Sequence, residues 1–245
     1  MRALFFEFPQ EPELLAVDRQ FMLGSDILVT PVLTPNVTSV SGEHLHTMLP
    51  LQTQKEILFT PGILPGRGQV VWRDWYTHAI VNQRASPAGG NGKNTVVVDL
   101  DAPLGHIPVL VRSGAALLLH SQPGYTTRAS AATAYALLIS LTREGNAYGT
   151  ALVDDGETES TQSRTLVFNA HDKQLEIVHS GEGVFEVIQP LNVITVLGID
   201  RAPRRVRIDG VKVPSRKWAF DATVQRLVVS GLAVDLNGRS VISWG

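Results

Sequence analysis

The sequence contains no cysteine. That excludes disulfide staples and thiolate chemistry, and it leaves the redox compartment open. Long apolar runs are also missing: no stretch approaches the ~20 residues that a membrane-spanning helix needs. The first segment carries Glu7, Glu11, Glu13 and Asp18, a charge pattern foreign to a signal peptide. An excess of either charge is absent as well. Lys and Arg total 21 against 23 Asp and Glu, a formal charge of -2, so no global basic field draws in nucleic acid. No glycine-rich loop opens a helix, which removes nucleotide fingerprints. Ser113-Gly114 lies outside any G-x-S-x-G frame and makes no nucleophile elbow. No helical stripe runs beyond about two turns.

What is present is a globular composition. The 245 residues are 44% hydrophobic and 18% charged, enough for one large or two small domains with cores. Short β-prone runs recur at about 8 to 12-residue spacing with turn residues between them, the texture of β-sandwiches. Met1 to Pro9, with Leu4-Phe-Phe-Glu-Phe8 at its centre, reads as a buried strand. Residues 10 to 19 form a polar connector with at most a helical turn starting at Pro12. Strands are expected at 27 to 33, 70 to 77, 95 to 100, within 104 to 111, and at 115 to 119. Residues 41 to 69 are punctuated by Gly42, Pro50, Pro61, Gly62, Pro65, Gly66 and Gly68.

After a polar stretch at 121 to 130, where composition places a boundary, the same texture resumes. Ala134 to Leu141 satisfies helical spacing, but its β-rich neighbours argue for a strand. Further strands are expected over 148 to 153, 164 to 169, 174 to 179, 185 to 189, 192 to 197, 205 to 208, 211 to 213, 226 to 229, 233 to 236 and 240 to 244. Asp209-Gly210 between two alternating runs is a type I′ hairpin signal, and Asn237-Gly238 is a second, less well flanked one. Arg205 and Arg207 alternate with Val206 and Ile208, which fits a strand with a solvated basic face.

Chemistry-bearing groups are few. Paired carboxyls can share general acid/base work, and the pairs available are Asp99 with Asp101, Asp154 with Asp155, and Glu157 with Glu159. Asp154-Asp155-Gly156-Glu157 has turn composition, so its carboxylates read as backbone caps. His44-x-His46 puts two imidazoles on one strand face but brings no third ligand, so no metal is assigned. His106 reads as a buried imidazole bonded to backbone. Trp72, Trp75 and Tyr76 are the substrate-binding candidates, since exposed aromatic faces stack on sugar rings, although tryptophan in a sandwich strand more often packs the core. Asn36-Val-Thr38 is an N-glycosylation sequon, usable in a secretory context.

Four segments in order carry a family resemblance. Leu4-Phe-Phe-Glu-Phe-Pro9 with Asp18 and Gln20-Phe-Met-Leu-Gly24 is similar to the end of the catalytic barrel in glycoside hydrolase family 31, the α-glucosidase family. Trp72-Arg-Asp-Trp75-Tyr76-Thr77 resembles its W-x-D-W-Y-T segment. Pro103-Leu-Gly-His-Ile-Pro-Val-Leu-Val-Arg-Ser-Gly114 resembles its P-L-x-H-I-P-V-x-V-R-G-G segment, and Gly145 to Glu157 its D-D-G-E turn. Fungal secreted enzymes are the nearest in pattern. Ala3 and Ser113 depart from the usual Pro and Gly, and residues 41 to 62 have no counterpart. That segment is either a surface excursion or a stretch absent from the natural protein. The family's two catalytic aspartates lie upstream of the part that matches Met1 and have no matching position here.

The resemblance implies an all-β chain: two β-sandwich domains following the last strand of a truncated (β/α)8 barrel. Residues 1–24 would be the barrel remnant and linker, 25–122 a proximal sandwich with 41–62 inserted, and 123–245 a distal sandwich. It implies no cofactor. Its partners would be the enzyme's own catalytic domain and, through that domain, an α-glucan or malto-oligosaccharide; neither nucleic acid nor membrane is expected. The implied location is extracellular or in the secretory pathway. The parent activity would be retaining hydrolysis of terminal α-linked glucose, with this chain structural and inactive alone. A non-catalytic carbohydrate-binding module or a partner subunit is the alternative.

Overall fold

A computed structural model describes residues 1–33, 59–81, 96–103, 105–156, 162–180 and 185–245. The chain divides into two compact units, Met1–Arg112 and Ser113–Gly245. The strand that composition placed before a boundary near residue 122 thus lies in the second unit.

The first unit opens with a helical turn, α1 (Leu4–Glu7), and a 3-10 turn over Pro12–Ala16 with proline at its start. Strands β1 (Phe21–Leu23), β2 (Ile27–Val29), β3 (Phe59–Leu64), β4 (Trp72–Asp74), β5 (Val96–Asp101) and β6 (Val109–Arg112) follow. Four of them form an antiparallel sheet in the order β1-β2-β6-β4, while β3 and β5 pair separately. The last residues of the segment without a family counterpart, 59 to 62, are therefore part of a paired strand.

The strand expected over Met1 to Pro9 is corrected. Only Arg2 bridges β1, exchanging backbone bonds of 3.0 and 2.9 Å with Met22. The chain then turns helical, because Leu4 and Phe8, four residues apart, both reach the core while Phe6 stays 65% exposed. Strand alternation would have sent all three to one side. Leu4, Phe8, Leu14, Met22, Leu28 and Trp72 share one apolar cluster.

The second unit holds β7 (Ala115–His120), a short helix α2 (Thr127–Ala131), β8 (Tyr135–Ser140), β9 (Ala147–Val153), β10 (Arg164–His171) and β11 (Gln174–Ser180). Then come β12 (Leu191–Leu197), β13 (Val206–Ile208), β14 (Val211–Lys212), β15 (Trp218–Asp221), β16 (Arg226–Val229) and β17 (Ser240–Trp244). Hydrogen bonding links them in the order β14-β13-β17-β11-β10-β9-β7-β8-β12-β16-β15. The link between β9 and β7 is one parallel pair, Ala115 with Tyr148. On either side of that joint the ladders are long, so the order reads as a six-stranded and a five-stranded sheet.

Alternation along each strand sends one face inward. In β10, Leu166, Phe168 and Ala170 are buried and Asn169 and His171 exposed. These inward residues join Leu137, Ile139, Val196 and Leu227 of the other sheet in a single core. A core fed by both halves is the mark of a sandwich.

The I′ turn is present as expected: Asp209 and Gly210 have φ of 49° and 80°, and the Asp209 carboxylate accepts from Val241 N–H at 2.7 Å. Residues 185 to 189 and 233 to 236 are not strands, apart from one bridge between Leu191 and Val234. The reason lies in Asn237, whose side chain takes the place of a ladder partner. Its Oδ1 accepts from Val187 N–H at 2.8 Å and its Nδ2 donates to Val187 O at 2.9 Å. Asn237 is thereby committed, and no hairpin forms at Asn237-Gly238. Sequence pattern missed β15, which pairs with β16 through the Asp221–Arg226 turn, and α2, capped where Thr126 Oγ1 accepts from Ala129 N–H at 3.1 Å.

The joint between the sheets needs glycine at position 149, where an added Cβ would lie 1.9 Å from the carbonyl oxygen of Ala116. Gly149→Ala is expected to cost the second unit about 3 kcal/mol, at the upper end of ordinary overpacking penalties because the obstructing atom is backbone. Chemical denaturation of the purified chain would measure it, and an unchanged midpoint would refute the close approach.

Candidate functional site

β4 ends abruptly. The strand expected to run from residue 70 to Thr77 stops at Asp74, and the carboxylate of Asp74 is the cause. Its Oδ1 accepts from Tyr76 N–H at 3.0 Å, Thr77 N–H at 2.7 Å and Thr77 Oγ1–H at 2.8 Å. A side chain that bonds the amides two and three residues on offers the backbone a turn in place of a ladder. His78 completes it in the left-handed region, φ 64°, and donates its N–H to Asp74 O at 2.9 Å.

The turn sorts the aromatic candidates. Trp72 is fully buried and its Nε1–H donates to Pro65 O at 2.9 Å, so its ring faces the core. Trp75 is half-buried, and its backbone N–H donates to Val109 O at 2.9 Å. Tyr76 is 53% exposed. Its hydroxyl donates to Ile107 O at 3.3 Å, and its ring lies 4.5 Å, centre to centre, from that of His106. The imidazole of His106 is thus half-buried against an aromatic ring. Beside the pair lies a cleft of about 400 Å³ lined by Asp74, Thr77, Pro103, His106, Pro108 and Leu110.

Beneath the turn sits Arg73, 2% exposed, with Nη1 donating to His78 O at 3.2 Å. Burial pushes its guanidinium below the usual arginine range. The sequence signal for this arrangement is the Asp74-x-x-Thr77 spacing, an Asx-turn pattern that prevails over strand alternation in the structure.

Other candidate groups do not converge here. Asp154 caps its own turn, accepting from Gly156 N–H at 2.9 Å, and Asp154 and Asp155 are exposed. Asp99 and Asp101 lie in β5, in register with Pro61 and Phe59. Asn36, His44, His46, Glu157 and Glu159 lie outside the described residues. Among the described residues no group of three His, Asp or Glu is placed to hold a metal ion, and no helix is long and apolar enough to cross a membrane. The geometry of the turn provides an aromatic face, an imidazole and an open, mostly apolar cleft edged by Asp74 and Thr77, the inventory of a contact surface.

Comparison with known proteins places this surface in context. Residues 1–117 match the model of the glycosyl hydrolase family 31 C-terminal domain. The chain is 35% identical over 246 residues to an alpha-glucosidase of Schizosaccharomyces pombe, covering 100% of this chain and 22% of that protein. It is 38% identical over 232 residues to the alpha-glucosidase of Aspergillus niger, covering 95% of this chain and 20% of that one. The chain thus spans about a fifth of the length of these curated relatives. Among solved structures, the glucosidase II alpha subunit bound to alpha3-Glc2 superposes with a TM-score of 0.73 at 20% identity, over 99% of this chain and 25% of that one. That likeness is one of fold.

Two expectations follow from the first unit. Trp72→Ala should destabilise it by about 3 to 5 kcal/mol, the range for a buried aromatic, and fluorescence-detected unfolding would read this. The second concerns Glu11, which is buried, accepts from Gly66 N–H at 2.8 Å, and has a carboxyl raised above its ordinary 4.5 chiefly by burial. A raised folded-state value means the folded unit binds more protons than the unfolded chain just above pH 4.5. Stability from this group is therefore fully present below about pH 4.5 and is lost as pH rises through the raised folded-state value. Glu11→Gln keeps an acceptor for Gly66 and should flatten that part of the stability–pH curve; an unaltered curve would contradict the assignment.

Proposed function

From the premise that this chain belongs to glycoside hydrolase family 31, as part of its C-terminal region, we propose that it is the β-sandwich portion of an α-glucosidase. The whole enzyme hydrolyses terminal α-linked glucose from malto-oligosaccharides with retention of configuration. Its nucleophile and acid/base are carboxylates of a barrel encoded upstream, and the proximal sandwich braces that barrel while the distal one covers it. The enzyme works outside the cell or in the secretory pathway, with Asn36 as a glycan acceptor. One observation carries this reading: the likeness to named α-glucosidases extends over 95 to 100% of the chain, through both units. The placement of Asp154 and Asp155 on an exposed capping turn supports a structural role for the only D-D-G-E segment in the sequence.

The exposed ring of Tyr76 favours a second reading, in which the same region, with Trp75, contacts substrate sugar from the side. Retaining hydrolysis needs two carboxyls about 5 Å apart in one site. The purified chain is therefore expected to leave an aryl α-glucoside and maltose unhydrolysed. Turnover that co-elutes with pure chain would overturn the structural role. Peptide mapping of the protein from its source should find peptides that continue upstream of Met1. Loss of maltoheptaose binding in Tyr76→Ala, at unchanged stability, would move the second reading ahead.

A further inference from the structure

The formal charge of -2 conceals a strong segregation. Residues 201 to 217 carry seven Lys or Arg and one Asp, a net of +6, whereas residues 113 to 200 carry four Lys or Arg against ten Asp or Glu, a net of -6. The single acid in the basic stretch, Asp209, has its carboxylate bonded to Val241 N–H. The ion pairs among the described residues, such as Arg226–Asp221 and Arg239–Glu176, take in none of the seven cations.

Strand register then lines up part of this charge. Arg207 of β13 stands directly opposite Lys212 of β14 on one side and Ser243 of β17 on the other. Ser243 is opposite Gln174 of β11, and Gln174 is opposite His171 of β10. All five side chains lie on the outer face: Arg207, Lys212, Gln174 and His171 are exposed and Ser243 half-buried, while their strand neighbours Val206, Val213, Leu175, Ala170 and Ile242 are buried. With strands about 4.8 Å apart, the row crosses about 19 Å of sheet. Arg205 lies two residues before Arg207, exposed on the same side. Two cations directly opposite one another on adjacent strands repel. An anion seated between them removes that cost.

We propose that this row is a binding site for a polyanionic polysaccharide. Its acidic groups would sit on Arg205, Arg207 and Lys212, and its hydroxyls would bond Ser243, Gln174 and the Nε2 of His171, whose Nδ1 faces Asp172 Oδ2 at 3.4 Å and so marks the uncharged end of the anion's path. Charge complementarity selects a polyanion. The row offers one hydrogen-bonding group per strand and no aromatic ring for base stacking, which suits an extended sugar chain better than single-stranded nucleic acid. The choice of a glycan rests on the family reading. Binding is measured independently of hydrolysis, so failure of this site leaves that reading untouched.

The test measures binding of the full chain to heparin, a sulfated glycan, and to polygalacturonate, a carboxylated one, with maltoheptaose and single-stranded DNA in parallel across a salt series. Binding to either acidic glycan is expected, and the one preferred identifies the anion. In Arg205→Gln/Arg207→Gln/Lys212→Gln, affinity at low salt should fall at least about tenfold and the slope of log K against log salt should shrink by about 2 to 3. Arg128→Gln/Arg143→Gln, which removes cations elsewhere in the unit, should bind like the parent. Thermal melts of both variants guard against unfolding, as all five positions are exposed. The proposal is overturned by no binding to either acidic glycan, by equal loss in the two variants, by maltoheptaose binding that the triple variant weakens as much, or by DNA binding more tightly than both glycans.

Discussion

The second unit hangs on one close approach of two backbones. β7 and β9 meet through a single residue pair, and Gly149 lets them meet because the carbonyl of Ala116 occupies the space where a side chain would begin. Six strands lie on one side of that joint and five on the other. Apolar faces that must both leave water need a way to turn toward each other, and a joint with one ladder pair bends where a long ladder would hold flat. The core then fills from both sheets, with Phe168, Leu166 and Ile177 packed among Ile139, Val196 and Leu227.

In the first unit the corresponding constraint is polar. Asp74 spends one oxygen on three donors, which stops β4 and sets the following residues in a turn. That turn carries a buried arginine below and a half-exposed tyrosine above. One carboxylate therefore separates Trp72, a core residue, from Tyr76, a surface one, within five positions of the chain. The outcome for function is that the aromatic cluster is divided between packing and contact.

Much of the fold could be read from sequence because its strands alternate cleanly and its turns use residues with local reasons. Asp209-Gly210 is such a case, since both residues adopt positive φ as a I′ turn demands. The family resemblance was equally legible, carried by four short segments in order. Failures arose where a side chain overrode the backbone pattern. Asn237 stands in for a strand beside Val187, and Asp74 truncates one. At Leu4 to Phe8 a run apolar except for Glu7 fits both periods, and only the shape of the core picked the helical one.

The residues alone settled the β-rich class, the turn chemistry, the absence of thiol chemistry and the family pattern, because each of these depends on local geometry or composition. Tertiary structure decided which aromatic ring meets water, and which cations share a row. It also decided that Gly149 is a joint, whereas its sequence neighbours read as an ordinary strand. Those outcomes depend on register between strands distant in the chain, such as Ala115 with Tyr148 or Arg207 with Ser243, and register is set by how the whole core closes.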